Sequence, residues 1–326
     1  MNYVIGIDGG GTKTQVVLVD LNGKVLLNTT YGSTNPNAVT KQELNDTFQA
    51  IFQEMEENIP GSLEMVSSIF AGVSGAGSKA SASLLTEIIA PFFSLNTKIT
   101  VVPDSINALY SGTFGMPGIV QISGTGSITY GINERQEQGR VGGWGYLLGD
   151  EGSGYDVGKH GIQAVLKFLD GRGPETMLKN MLFKLYTISS GRELIDKIYY
   201  SDNPRLEISR ISKLVFQAFE KEDTVAMTIL RQVAHDIAQS IMTLDQKLFN
   251  KTEKVTVVLC GGLFSNPTIL PVLLRDALIN YPKRMSLIIP EFPPVVGSVV
   301  GAYLAIDCAV TEDVKLNLRS SFINYK

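Results

Sequence analysis

Two stretches with the same pattern, about 115 residues apart, constrain the fold of this chain most strongly. Residues 3–20 contain a short β-branched run, a glycine-rich turn and a second apolar run, and residues 118–132 repeat that order. An internal duplication of an α/β module explains this repeat most simply. We therefore predict two similar domains with a boundary near 113–117.

The spacing of apolar residues predicts the order of the remaining elements. In the first half it gives three strands followed by alternating helices and strands, in the order βββαβαβα. The second half begins with strands at 118–123 and 128–132 and then carries an insertion rich in helices, at 155–169, 175–186, 192–198, 208–220 and 224–248. It closes with a strand at 255–260, a helix at 266–280, a strand at 286–289 and a helix at 298–309.

Composition excludes several classes of function. Lys plus Arg number 28 against 32 Asp plus Glu, so there is no basic footprint for nucleic acid. No apolar run reaches the roughly 18 to 20 residues of a membrane span, and the N-terminus does not resemble a signal peptide. The two cysteines, Cys260 and Cys308, indicate the reducing cytoplasm. With only two histidines, carboxylates become the expected proton acceptors.

The first glycine turn follows Asp8 and reads Gly-Gly-Gly-Thr-Lys-Thr over residues 9–14. Glycines let the backbone N–H groups approach an anion closely, and Thr12 adds a hydroxyl donor, so a phosphate site is expected. Asp8 at the strand end could hold a hydrated Mg²⁺. A hairpin that merely needs glycine is the alternative. The sequence matches neither a P-loop nor a dinucleotide-binding turn.

The second glycine turn, Ser-Gly-Thr-Gly-Ser at 123–127, occupies the equivalent place in the second half. Two such turns across a cleft would bind a triphosphate from both sides. The pair is therefore a more specific signal than either turn alone.

Asp104 follows a strand at 99–102 and begins a helix. It could simply cap that helix. It also lies where open α/β sheets place ligands, and phosphoryl transfer to an alcohol needs a carboxylate that accepts the hydroxyl proton. General base is the functional interpretation.

The segment 142–154 contains six glycines, the chain's single tryptophan and two adjacent acids. Such a run is costly to order, which favours a ligand site in which Trp144 offers an aromatic face and Asp150 accepts hydrogen bonds from hydroxyl groups. Alternatively, Trp144 fills the core. The later Leu-Cys-Gly-Gly-Leu-Phe-Ser-Asn at 259–266 either approaches a flat base such as adenine or forms an ordinary βα turn. His160 and His235 are interpreted as structural.

These motifs resemble those of a known superfamily. The sequences DGGGTKT, SGTGS and LCGGLFSN are similar to the phosphate-1, phosphate-2 and adenosine motifs of sugar kinases, Hsp70 and actin. Within that superfamily, GSTNPN at 32–37, GVSGAGS at 72–78, PDSINAL and GGWGYLLGDEGSGY resemble N-acetylglucosamine kinases and the BadF/BadG/BcrA/BcrD ATPase group. The resemblance covers essentially the whole chain.

The resemblance implies an α/β fold of two duplicated RNase-H-like, actin-like ATPase domains around a central cleft. The first would cover 1–115 and be joined by the C-terminal helix at about 298–326, and the second would cover 116–297 with the helical insertion. It also implies an ATP- and Mg²⁺-dependent kinase that phosphorylates the 6-hydroxyl of an amino sugar, best N-acetylglucosamine, and that forms homodimers.

The resemblance also implies roles for individual residues. Those expected to bind the nucleotide are Gly10, Gly11, Thr12, Lys13, Gly124, Thr125, Gly126, Ala218, Gly261, Gly262 and Asn266. Those expected to bind the sugar are Asn35, Ser74, Asp104, Gly143, Trp144, Gly145 and Asp150. Asp104 would be the base, and Asp8 would hold the metal.

Some departures and alternatives narrow this expectation. The iron–sulfur activity of some family members needs a cysteine pair that is absent, as is the zinc motif of ROK sugar kinases. The acceptor could instead be N-acetylmuramic acid, glucosamine or another hexose. The chain could also be an ATPase that drives a partner protein, or a ligand-sensing regulator, although no DNA-binding pattern supports the latter.

Overall fold

The computed structural model describes residues 2–250, 253–282 and 285–323 of the chain. It divides into two compact units, the first formed by residues up to 116 and from 290 onward, the second by residues 117–289. The strands are β1 (Tyr3–Gly9), β2 (Thr14–Asp20), β3 (Val25–Tyr31), β4 (Val66–Val73), β5 (Lys98–Val102), β6 (Gly118–Ser123), β7 (Ser127–Ile132), β8 (Gln138–Gly142), β9 (Val255–Cys260) and β10 (Met285–Ile288).

The helices follow the order expected for a duplicated module with an insertion in its second copy. They are α1 (Lys41–Asn58), α2 (Lys79–Ile89), α3 (Asp104–Thr113), α4 (Gly154–Leu169), α5 (Leu178–Tyr186), α6 (Gly191–Tyr199), α7 (Pro204–Glu220), α8 (Thr224–Leu248), α9 (Leu270–Ala277), α10 (Pro294–Ala305) and α11 (Glu312–Ile323). The insertion consists of α4 to α8.

Each unit is built on one five-stranded mixed sheet. The orders are β3-β2-β1-β4-β5 and β10-β9-β6-β7-β8. In the first sheet β1 pairs antiparallel with β2 and parallel with β4, and β4 pairs parallel with β5. In the second sheet β6 likewise pairs antiparallel with β7 and parallel with β9. The same pairing pattern in both sheets confirms the predicted fold class, two RNase-H-like modules.

The central strands are apolar without alternation because helices cover both of their faces. Ile5 and Ile7 of β1 pack in a core with Phe48 and Phe52 of α1. On the other face α10 approaches β1 so closely that a Cβ on Gly6 would lie 2.6 Å from the Ser298 hydroxyl. In the second unit α8 forms the centre of a core that extends from β6 and β9 to the inserted helices.

Several elements differ from the sequence-based expectations. Strand β8 was not predicted, because its two glycines and exposed arginine hide the alternation of apolar and polar residues that marks a strand. Its antiparallel hydrogen bonding with β7 makes it a strand. Helix α9 is shorter than expected and begins at Leu270, since Pro271 favours a helix start there. The unpredicted helix α11 closes the described chain.

The closing helix corrects the predicted domain boundary. We expected it at 298–309, but α10 begins at Pro294, because proline is well placed in the first turn of a helix. Residues 290–297, assigned above to the second domain, therefore belong to the first unit.

Close packing of α10 on α3 makes Gly297 sensitive to substitution. A Cβ there would collide with the Asn107 carbonyl oxygen and lie 2.7 Å from the Ser111 nitrogen. We expect Gly297→Ala to lower the free energy of unfolding by roughly 3 kcal/mol, because backbone rather than a flexible side chain must give way. Gly32→Ala is the matched control, since nothing lies within 4 Å of its Cβ position. Equal thermal stability of the two variants would contradict the observed packing.

Candidate active site

The first unit gathers its polar residues at one edge of its sheet. Strands β1, β4 and β5 are parallel, so their carboxyl ends meet there. Asp8 lies at the end of β1, Ser74 directly follows β4, and Asp104 follows β5 after one proline. This is the edge at which open α/β sheets bind ligands.

The first glycine turn is fixed by neighbouring loops. The Gly10 amide donates to the Lys13 carbonyl over 2.8 Å, and the Ser33 hydroxyl donates to the Gly10 carbonyl over 3.0 Å. The Ser74 amide donates to the Gly9 carbonyl over 2.7 Å. The turn is thus held at both ends without using the N–H groups of residues 11 and 12 in these bonds, and those are the groups that a phosphate site needs.

Asn35 lies beside this turn. A Cβ on Gly11 would be 3.9 Å from the Asn35 Nδ2 atom. The Asn35 Oδ1 atom accepts the Asn37 amide over 2.8 Å, so a local turn fixes the orientation of the side chain. The first unit therefore brings Asn35, Ser74 and the glycine turn together.

Asn107 organises the edge of this sheet, and the sequence analysis assigned it no role. Its side chain is fully buried on α3. The Nδ2 atom lies 2.9 Å from Asp8 Oδ1 and 3.1 Å from the carbonyl oxygens of Ile7 and Gly72. A polar residue among apolar neighbours in Ser-Ile-Asn-Ala-Leu was the available signal, since a buried amide needs partners.

The two carboxylates of this edge are electrostatically perturbed. Burial raises the pKa of Asp8 to about 6, and the charge of Asp104 adds to the increase, while the Asn107 hydrogen bond and Lys13 oppose it. Burial also raises the pKa of Asp104, against the backbone N–H groups of Asp104 and Ser105. Two half-buried carboxylates close enough to interact are typical of an active site.

Asp104 does not cap its helix. Pro103 occupies the capping position, and Asp104 is the first residue of α3. The Asp104 carboxyl group nevertheless interacts with the backbone N–H groups of Asp104 and Ser105 at the helix start. Its position at the sheet edge agrees with the functional interpretation as well.

Asp8 fits the Mg²⁺ expectation, judged by the donors present. No group of three or more His, Cys, Asp or Glu side chains that could enclose a metal occurs in the described part of the chain. Mg²⁺ needs no such cage, because it keeps several waters and binds through one or two carboxylates together with substrate phosphates. One half-buried carboxylate beside a glycine turn suits that chemistry.

The second glycine turn lies at the carboxyl ends of β6 and β9, which are parallel. Its Gly124 amide donates to the Gly126 carbonyl over 2.9 Å, and the Gly154 amide at the start of α4 donates to the Gly124 carbonyl over 2.7 Å. Gly261 approaches the same turn, because a Cβ there would collide with the Ser123 carbonyl. Its φ of +102° also favours glycine.

A cavity of about 570 Å³ opens beside this turn. Thr125, Gly262 and Asn266 line it, as the sequence led us to expect for a nucleotide site. Helix α7 forms the opposite wall through residues such as Ser209 and Phe216. The volume is in the range of pockets for drug-sized ligands.

Ala218 does not belong to this wall. It is fully buried in the core of the second unit, on the side of α7 that packs inward. The expected contact of Ala218 with the nucleotide came from a loose match to the helical insertion. The helix presents Ser209 to the cavity instead. Nothing in the helical periodicity had distinguished Ser209 from its neighbours.

The segment 142–154 forms an exposed aromatic loop around a buried carboxylate. Trp144 is 66% exposed, so it does not fill the core, and the Arg140 guanidinium lies 4.4 Å from its ring centroid. Asp150 is only 4% exposed and adopts a left-handed φ of +61°. Its Oδ1 atom accepts the Gly145 amide over 3.2 Å. Strained backbone of this kind is typical of ligand sites.

The charge of Asp150 is moderated by its surroundings. Burial raises the pKa of its carboxyl group, while the Gly145 amide and the Arg205 guanidinium oppose that rise. The Arg205 Nη2 atom lies 3.5 Å from Asp150 Oδ2. Arg205 was not predicted, although a basic residue in the first turn of a helix, where the dipole disfavours it, was a usable signal.

Fold and site together define a two-module ATPase-type protein. Consistent with this, residues 5–302 match the BadF/BadG/BcrA/BcrD ATPase family, and the chain belongs to that family.

Individual relatives are similar over most of the chain. The chain is 38% identical over 87% of its length to an N-acetylmuramic acid/N-acetylglucosamine kinase of Clostridium acetobutylicum, covering 92% of that relative. It is 34% identical over 86% of its length to an N-acetyl-D-glucosamine kinase of Dictyostelium discoideum, covering 91% of it. A Chromobacterium violaceum structure, proposed to be an N-acetylglucosamine kinase, has the same fold with a TM-score of 0.69 at 24% identity, over 92% of this chain and 98% of that one.

Burial of Asp8 predicts a measurable cost to stability. Its folded pKa of about 6 exceeds the reference value of 3.8, so the folded state binds more protons and stability is lost as pH rises through this interval. In metal-free buffer at pH 7.5, Asp8→Asn should therefore raise the free energy of unfolding by up to about 3 kcal/mol, with little effect at pH 3.5. The exposed Asp46→Asn is the control. A destabilised Asp8→Asn at pH 7.5 would contradict the prediction.

Proposed function

We propose that the protein is an ATP-dependent kinase that phosphorylates the 6-hydroxyl of an amino sugar, with N-acetylglucosamine as its best acceptor. The observation that carries the proposal is the edge of the first sheet, where the first glycine turn, Asn35 and the half-buried Asp8 and Asp104 come together. Family membership and the names of the two curated relatives support the same conclusion.

The nucleotide is proposed to occupy the cavity beside the second glycine turn. In this proposal Gly261, Gly262 and Asn266 bind the adenosine. The phosphates bind to the N–H and hydroxyl groups of both glycine turns, at Gly10, Gly11, Thr12 and Lys13 in the first unit and at Gly124, Thr125 and Gly126 in the second. The volume and the lining of the cavity support this proposal. Ser209 lines the cavity on α7, where we had expected Ala218 to contact the nucleotide.

The sugar is proposed to bind to Asn35, Ser74, Asp104, Gly143, Trp144, Gly145 and Asp150. The exposed indole of Trp144 offers an apolar face for a sugar ring, and the buried carboxylate of Asp150 accepts hydrogen bonds from sugar hydroxyl groups. An N-acetylmuramic acid or glucosamine acceptor would use the same residues.

Asp104 is proposed to take the proton of the 6-hydroxyl as the phosphoryl group moves to that oxygen. Burial raises its pKa, which makes the carboxylate a better proton acceptor at neutral pH. Asp8 would hold the Mg²⁺ that accompanies ATP, an ion that neutralises charge on the phosphate oxygens. Positioning and electrostatics supply most of the catalysis, since phosphoryl transfer needs little covalent chemistry from the protein.

The cellular setting is part of the proposal. None of the helices in the described chain combines the length and the apolar character that a bilayer crossing requires. We propose a cytoplasmic homodimer acting on small molecules, on the basis of cysteine usage and family resemblance.

The decisive experiment is ADP release from Mg²⁺·ATP with and without sugars. The panel contains N-acetylglucosamine, N-acetylmuramic acid, glucosamine, N-acetylmannosamine and glucose. We expect one or two amino sugars to stimulate ADP release strongly over the no-sugar control, with the 6-phosphate identified by NMR. Hydrolysis that no sugar stimulates would contradict the kinase and favour the partner-driving ATPase.

The base assignment predicts a specific loss. Asp104→Asn keeps the size of the side chain but cannot accept the proton, so kcat should fall about 10²- to 10⁴-fold with little change in the KM for sugar. Asp46→Asn, in an exposed position on α1, is the matched control and should keep wild-type kcat. Near wild-type turnover of Asp104→Asn with the best sugar would show that another group is the base.

A further inference from the structure

Arg205 lies between the second glycine turn and the loop proposed to bind the sugar. It occupies the second position of α7, and its Nη2 atom is 3.5 Å from Asp150 Oδ2. A Cβ built on Gly126 would lie 3.0 Å from Nη2 and 2.9 Å from that same carboxylate oxygen. The guanidinium and the Asp150 carboxylate are thus both packed closely against Gly126 of the turn.

The surrounding protein does not satisfy this guanidinium. Its Nε atom is buried and has no hydrogen-bond acceptor among the described residues. The distance of 3.5 Å to Asp150 is longer than the 2.7–2.9 Å that charge-assisted hydrogen bonds usually show. The guanidinium carbon lies 5.1 Å from the centroid of the Tyr146 ring, which is a cation–π contact and not a hydrogen bond.

Local folding also gives no reason for a cation at this position. The first turn of a helix carries partial positive charge, so an arginine there is electrostatically unfavourable. Asp150, in contrast, is nearly completely buried and holds a negative charge against the Nη2 side of the group. A residue that is unfavourable for its helix and only partly paired indicates a second anionic partner.

The chemistry of the group defines that partner. A guanidinium is a planar fork of N–H donors that matches pairs of anionic oxygens, as in a phosphoryl group or a carboxylate. The contact with Gly126 favours the phosphoryl group, because that turn is the one proposed to bind ATP phosphates. An acceptor such as N-acetylmuramic acid could instead supply a carboxylate.

We propose that Arg205 is a further catalytic residue, which binds the phosphoryl group while it passes from ATP to the sugar. The bond from the sugar 6-oxygen to phosphorus forms as the bond from phosphorus to the ADP oxygen breaks. The hydroxyl proton goes to Asp104, and Arg205 stays protonated throughout. Its positive charge stabilises the negative charge on the equatorial oxygens, as arginines do in other phosphoryl-transfer sites. This inference rests on the kinase function proposed above.

The test compares Arg205→Met and Arg205→Lys with wild type, using Mg²⁺·ATP and either N-acetylglucosamine or N-acetylmuramic acid. We expect Arg205→Met to lower kcat at least about 100-fold with both acceptors, while the KM for each sugar changes by less than roughly threefold. Arg205→Lys should recover about tenfold, because it restores the charge but not the fork. Arg192→Met, an exposed arginine on α6 with 77% side-chain exposure, is the matched control.

A binding measurement separates a catalytic from a structural role. Titration with ADP and aluminium fluoride in the presence of sugar, which mimics the transferring group, should show at least about tenfold weaker binding to Arg205→Met, with ADP alone binding as to wild type. If Arg205→Met melts at a lower temperature, Arg205→Lys provides the same comparison in a folded protein.

Three results would overturn the proposal. Unchanged kcat would remove Arg205 from the reaction. A loss confined to N-acetylmuramic acid would assign the guanidinium to the acceptor's carboxylate, and a loss confined to the KM for sugar would make it a positioning residue for Asp150. Wild-type protein without sugar-stimulated ADP release would instead contradict the kinase function itself, independently of the variants.

Discussion

The first unit depends on the buried side-chain amide of Asn107. Its Nδ2 atom lies within 3.1 Å of the carbonyl oxygens of Ile7 and Gly72 and closer still to Asp8, so one group on α3 links the ends of β1 and β4. A buried amide that shares its two N–H groups among three acceptors is expensive to replace, because hydrogen bonds would be lost in a dry environment. Gly72 packs closely against the Asn107 side chain, and Gly297 packs against its backbone carbonyl group. The position of Asp8, and with it the proposed metal site, follows from this arrangement.

The same constraint explains the electrostatics of this sheet edge. Asn107 lowers the pKa of Asp8 but does not cancel the effect of burial, and the neighbouring Asp104 raises it further. Two carboxylates in this environment repel each other, which is unfavourable for folding and suits a site that binds a divalent cation and accepts a proton. The repulsion between Asp8 and Asp104 destabilises the folded protein, and a bound cation or protonation of one carboxylate would reduce it.

The sequence predicted the parts of the structure that depend on local chemistry. The duplicated strand–turn–strand pattern gave the two modules, and the glycine motifs marked the turns that the structure places at the carboxyl ends of β1 and β6. Asn107, Ser209 and Arg205 were not predicted, because their importance arises from contacts with residues distant in the chain. The local signals at Asn107 and Arg205 gave no partner for either side chain. Ala218 was given a nucleotide-binding role by resemblance alone, but it lies on the side of α7 that faces the core. Strand β8 was missed for a related reason, since its pairing partner rather than its own composition makes it a strand.

Divergence between the two copies accounts for the asymmetry of the proposed site. In the first unit, Ser33 and Ser74 hold the glycine turn, and the same edge carries Asp8 and Asp104. In the second unit the equivalent turn is bonded to the start of α4, and the insertion supplies α7, which brings a cavity wall and Arg205 to that turn. The carboxylates proposed for metal binding and proton transfer thus lie on one copy, and the large cavity and the unsatisfied cation on the other. The kinase proposed above draws on both sets of groups, so in that proposal the duplication and the insertion of the second copy each contribute residues to the reaction.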